Sequence, residues 1–186
     1  MAYFKPAYEK TSLVEKGWVN DPADKGGETY NGIARNYWKD WDGWQIIDFY
    51  KQSHTLKRGD VIYNELLDEY IEEFYKDNFW DVNKLNNITD QDIANEVYDT
   101  GVNIGPKVAS KMLQEALNLL NRNQVDFEDL LVDGDIGLKT LKLVNGFKNK
   151  QALLKTLNGL QFCKYVDICR DNPKQERFFN GWLLRV

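Results

Sequence analysis

Apolar positions recur at helical spacing through most of this chain. Tyr63, Leu66, Leu67, Tyr70, Ile71 and Phe74 keep the i, i+3, i+4 rhythm and predict one helix starting near Asp60. Its far side is acidic at Glu65, Asp68, Glu69, Glu72 and Glu73, the pattern of a solvated face. Thr89 with Asp92 three positions on predicts the start of the next helix, which Ile93, Val97 and Tyr98 continue. Pro106 restarts a helix whose stripe is Val108, Met112, Ala116, Leu117 and Leu120. A last helix is predicted from about Gln151 to Arg170. Between residues 33 and 50 an aromatic tract fits short strands and helical turns equally.

The first helix, from about Pro6 to Gly17, raises a chemical question. At 100° per residue, Phe4, Ala7, Tyr8, Thr11 and Trp18 form one stripe, and Glu15 sits near its centre. A carboxylate on a core-facing stripe is costly when ionised, so its pKa should rise, which keeps an acid protonated near neutral pH. Two readings of Glu15 stand at this point: a proton donor, or a structural glutamate paired with a distant Arg or Lys. Asp24 follows nine positions later and Thr29 five after that, with Gly26 and Gly27 between them. Glycine permits positive φ and close backbone approach. A helix-borne acid followed by a loop carboxylate and a hydroxyl suggests glycoside hydrolysis, where one carboxyl protonates the leaving oxygen and the second manages water or positive charge.

The run Glu15-Lys16-Gly17-Trp18-Val19-Asn20-Asp21-Pro22-Ala23-Asp24-Lys25-Gly26-Gly27-Glu28-Thr29, closing at Gly32-Ile33, resembles the signature of glycoside hydrolase family 108, the peptidoglycan N-acetylmuramidases of bacteria and phages. It departs from the family pattern at Lys16, where a glycine is usual, and at Tyr30-Asn31, where the order is usually reversed. The resemblance implies a mainly α, lysozyme-like fold with two lobes around a cleft and a small β element after the first helix. It implies Glu15 as general acid, Asp24 as second carboxylate and Thr29 as the residue that positions water. Gly27, Tyr30, Asp99 and Asn103 are then candidates to line the substrate cleft. For Asp99 and Asn103 the alternative is capping of a helix junction.

Leu113-Gln114, Asp133-Gly134-Asp135 and Thr140 resemble the peptidoglycan-binding half that accompanies this family, and the ending Phe178-Phe179-Asn180-Gly181-Trp182 is similar too. The expected division is a catalytic region at 1–92 and a wall-binding region at 93–186, with peptidoglycan as partner. The chain is 186 residues long, enough for a sizeable core without disulfide staples. Cys163 and Cys169, six apart in a helix, are expected to be free thiols.

Net charge is −5, which argues against nucleic acid as a partner. Four of the six tryptophans fall between Trp18 and Trp44, suited to sugar faces or to core packing. One histidine, His54, gives no metal-site spacing, so neither metal nor cofactor is expected. No apolar run suits a signal peptide or a membrane span. The expectation is a monomer made in the cytoplasm that reaches the wall or periplasm by lysis, a holin-type partner or another export route. A different class, a non-catalytic wall-binding or secretion-assisting protein with the same fold, is the rival reading.

Overall fold

The computed structural model describes residues 1–11, 17–21 and 26–186; Glu15 and Asp24, expected to carry the chemistry, lie outside the described residues. The fold is mainly α. Two compact units divide it: residues 8–76, and residues 1–7 with 77–186.

Helix α1 (Phe4–Thr11) has Ala7 and Thr11 buried and Phe4 and Tyr8 half-buried, as the first part of the expected stripe requires; the rest of the expected helix, residues 12–16, lies outside the described residues. Trp18 does not belong to that helix. It opens β1 (Trp18–Asn20), which pairs antiparallel with β2 (Glu28–Tyr30), itself paired with β3 (Ile33–Ala34). The register sets Trp18 opposite Tyr30, Val19 opposite Thr29 and Asn20 opposite Glu28. The aromatic tract resolves into turns followed by α2 (Gly43–Lys51), which buries Trp44 and Ile47.

The next helix, α3 (Glu65–Tyr75), begins five residues later than its periodicity predicts. Asn64 caps it, its side chain accepting from Leu67 N at 2.9 Å, and Tyr63 is left 95% exposed. Leu67, Ile71 and Phe74 are the buried face. Trp38 and Trp41 meet Phe74 edge-on, with centroids at 4.8 and 6.2 Å, and Trp38 remains 40% exposed.

A π-helical turn, Lys76–Asp81, buries Trp80 in the larger unit. Phe4, Trp80 and Tyr98 pack edge to face, with centroids 5.7–6.0 Å apart. Helix α4 (Gln91–Ile104) is capped by Asp90, which accepts from Ile93 N at 3.1 Å. Thr89, the expected cap, instead bonds Asn145 Oδ1 through its N–H (2.8 Å) and hydroxyl (3.2 Å). Gly105 turns the chain at φ +102° into α5 (Pro106–Leu119). After α6 (Leu138–Gly146) come the long α7 (Lys150–Asp171) and α8 (Glu176–Trp182). Helices α4, α5 and α7 pack on one another around Val97, Leu113, Leu117, Leu153 and Leu157.

The Leu-Gln and Asp-Gly pattern is a local latch. The Gln114 amide donates to Asp133 Oδ1 (2.8 Å) and the Asp135 carbonyl (3.0 Å), and accepts from Gly134 N (2.8 Å). Gly134 sits at φ +81° with no room for a Cβ against Lys107. Asn118 repeats the device one turn on, exchanging bonds of 2.8 Å with both backbone groups of Leu130. Buried Gln114 and half-buried Asn118 thus tie the irregular segment before α6 to α5 by bonding its backbone groups. Cys163 and Cys169 are free thiols on α7.

Candidate active site

The three-stranded hairpin builds the described part of the site. Strand side chains alternate between faces, so Trp18, Glu28 and Tyr30 share one face and Val19, Thr29 and Ala34 the other. The connection from β1 to β2 is pinned at its end: Asn36 N donates to Gly26 O (3.1 Å) and Arg35 N to Glu28 O (2.8 Å). Asp24 falls within that connection in sequence.

Thr29 is half-buried, and its hydroxyl donates to the Gly27 carbonyl at 3.3 Å. A hydroxyl whose proton is so engaged keeps lone pairs with which to accept from a water. Gly27 has φ +67°, and a Cβ there would lie 2.7 Å from Asn36 Nδ2. Its glycine is therefore required by the turn itself.

Tyr30 is placed in the core, 1% exposed. Its hydroxyl accepts from Ile62 N at 2.9 Å and donates to Ile62 O at 3.4 Å, seating the hairpin on the segment before α3. Burial pushes its pKa up, and the Ile62 hydrogen bond opposes that shift. Tyr8 is pushed further, to about 12, by burial and then by the charges of Glu72 and Asp68.

Glu28 is the feature that spacing did not reveal. Its carboxylate accepts from Trp18 Nε1 (2.6 Å) and Lys51 Nζ (2.7 Å) and pairs with Arg35 Nε (2.8 Å). Arg35 also forks onto Asp48 at 2.6 and 2.9 Å and lies 4.3 Å over the Trp44 ring. The Arg35 hydrogen bonds hold the Asp48 carboxyl below the usual carboxylate range. One carboxylate thus joins β1, the end of β3 and α2, and fixes the strand that carries Thr29. The only sequence signal was a charge alternating with Tyr30 on a strand too short to show a period.

Asp99 and Asn103 come together in the other unit. Both lie inside α4, one turn apart, rather than capping its junction with α5. Asp99 Oδ1 takes Arg185 Nη1 at 2.5 Å, and its Oδ2 accepts from Gln161 (3.3 Å) and Asn103 (3.3 Å). Asn103 also donates to the Asp99 carbonyl at 2.9 Å. This cluster ties the chain's last residues and α7 to α4. Among the described residues no group of His, Cys, Asp and Glu is arranged to hold a metal ion. No described helix is long and apolar enough to cross a membrane.

Residues 8–105 match the family model described as glycosyl hydrolase 108, and residues 108–186 match a predicted peptidoglycan domain. No curated protein matches the chain. Among solved structures, SagA of Brucella abortus is similar over 98% of this chain and 88% of its own, with a TM-score of 0.63 at 20% identity. At that identity the likeness establishes a shared fold.

Proposed function

The chain belongs to the glycosyl hydrolase 108 family, and on that premise we propose how it cuts the glycan strands of peptidoglycan. The observation that carries the reading is the succession of matches along one chain, a glycoside hydrolase region followed directly by a peptidoglycan domain. That succession does not favour a protein that only binds wall or assists secretion.

In the proposed reaction Glu15 protonates the glycosidic oxygen as the C–O bond to the anomeric carbon breaks. Positive charge develops on the ring, a water attacks from the opposite face, and Asp24 accepts the water's proton. Thr29 accepts a hydrogen bond from that water. Its hydroxyl proton, already directed at the Gly27 carbonyl, supports this role. The Glu28 pairing with Arg35 and Lys51 holds β2 in place while this happens.

Catalysis is assigned to the region 1–92 and wall binding to 93–186. Gly27 and Tyr30 shape the catalytic hairpin, and Asp99 and Asn103 support the sugar-facing side of α4. The enzyme works as a monomer, made in the cytoplasm and released to the wall by lysis or through a holin-type partner.

Purified sacculi test the reading. Incubation should release soluble muropeptides with new reducing ends at N-acetylmuramic acid. Tight binding without reducing ends, or products closed as 1,6-anhydro sugars, would overturn hydrolysis.

A further inference from the structure

The chain enters β1 through Gly17, two residues after Glu15. Gly17 is buried, and both of its backbone polar groups go to one residue. Gly17 N donates to Asn31 Oδ1 at 2.5 Å, and Asn31 N donates to Gly17 O at 3.1 Å. Asn31 makes this clamp from the left-handed region, φ +46°, which asparagine tolerates better than most residues. Its own carbonyl accepts from Tyr75 Oη at 2.7 Å. The next residue, Gly32, lets Tyr75 reach that carbonyl, because a Cβ there would lie 2.6 Å from the tyrosine oxygen.

The opposite side of Gly17 is closed too. At φ +96° a Cβ would meet Gly59 O at 2.6 Å and Asp60 O at 2.8 Å. Trp18 exchanges bonds with the same segment, its N–H to Asp60 O (2.9 Å) and its carbonyl from Gly59 N (2.8 Å). The backbone at 17–18 is therefore gripped from both sides, and on the hairpin side half of the grip is a side chain.

We propose that Asn31, itself held by Tyr75, is a positioning residue for the general acid: it fixes the peptide at Gly17, two residues along the chain from Glu15. This rests on the assignment of Glu15 as the acid. Placement error at a reacting group of about 1 Å is worth on the order of 10²-fold in rate. Glu15 lies only two residues from this clamp along the chain, so the Gly17 peptide is the nearest described anchor for it. Side-chain and backbone halves of the clamp can be separated, because Asn31→Gly removes only the first while accepting the same φ.

The test uses the full chain with purified sacculi as substrate. Asn31→Gly should lower kcat roughly 10- to 100-fold with KM within about twofold, at a temperature where the variant is folded by circular dichroism. Asn31→Asp keeps an acceptor for Gly17 N and tolerates the left-handed region, so it should retain kcat within about threefold. Tyr75→Phe should fall between them and carries the same test if Asn31→Gly does not fold. In the Glu15→Gln background, Asn31→Gly should lower the residual rate no further.

A wild-type kcat for Asn31→Gly beside an inactive Glu15→Gln would overturn the clamp alone. So would an Asn31→Asp protein as impaired as Asn31→Gly, or a further loss in the double variant equal to the single one. Near-normal turnover of Glu15→Gln would overturn the acid assignment and this proposal with it.

Discussion

Glu28→Gln probes the joint that holds the hairpin. The substitution keeps the side chain's size and one carbonyl acceptor but removes the charge and turns an amide N–H₂ toward a cation. One charge-assisted hydrogen bond, from Lys51 at 2.7 Å, and one ion pair, with Arg35 Nε at 2.8 Å, are affected, while Trp18 Nε1 at 2.6 Å keeps an acceptor. A bond to a charged group is worth about 1.5–3 kcal/mol and a neutral one about 0.5–1.5, so each loses on the order of 1 kcal/mol. Glu28 is 11% exposed and Arg35 28%, but Lys51 is 35% exposed and stays near Asp48, so its share is screened. The expected loss is about 1.5 kcal/mol, or roughly 3–6 °C in Tm for a chain of this size. Urea unfolding at low and high salt measures it, with Lys51→Met closing a double-mutant cycle. The reasoning fails if the loss is below about 0.5 kcal/mol, or if the cycle shows no coupling between Glu28 and Lys51.

Two further outcomes follow from the hairpin. Gly27→Val should lower Tm and activity together, because a β-branched residue at φ +67° is strained and its Cβ meets Asn36; lost activity at an unchanged Tm would show that the glycine serves substrate approach instead. Asp24→Asn should remove most activity while sparing sacculus binding, since an amide is a poor base, and proton NMR of fresh wild-type product should show inversion to the α-anomer first. An initial β-anomer would sink the water-mediated scheme for Asp24.

The helices α4 and α5 were legible because burying one face of a helix repeats every 3.6 residues, and each keeps that repeat for 14 residues. Their starts were less so. Tyr63 fits the stripe of α3 by spacing yet lies outside it, because Asn64 captures Leu67 N and sets the first turn. Thr89 and Asp90 are both good caps, and only the tertiary bond from Thr89 to Asn145 decides between them. Trp18 falls on the first helix's stripe by the same arithmetic yet opens β1, since a three-residue strand carries no period of its own. Motif reading reached Gly27, Thr29, Asp99 and Asn103, but not what holds them. Glu28, Arg35 and Lys51 meet across three elements, and Asp99 and Arg185 are 86 residues apart. Such pairs are made by folding and leave no local trace.

The central claim is that this chain cleaves peptidoglycan by acid catalysis from Glu15. Comparing wild type with Glu15→Gln for release of reducing ends from sacculi, with melting curves beside the rates, addresses it directly. A glutamine has no proton to give, and general acid assistance is worth roughly 10²–10⁴-fold, so the rate should drop by at least about 10² while Tm is unchanged or higher. Turnover near the wild-type rate from a folded Glu15→Gln protein would contradict the account.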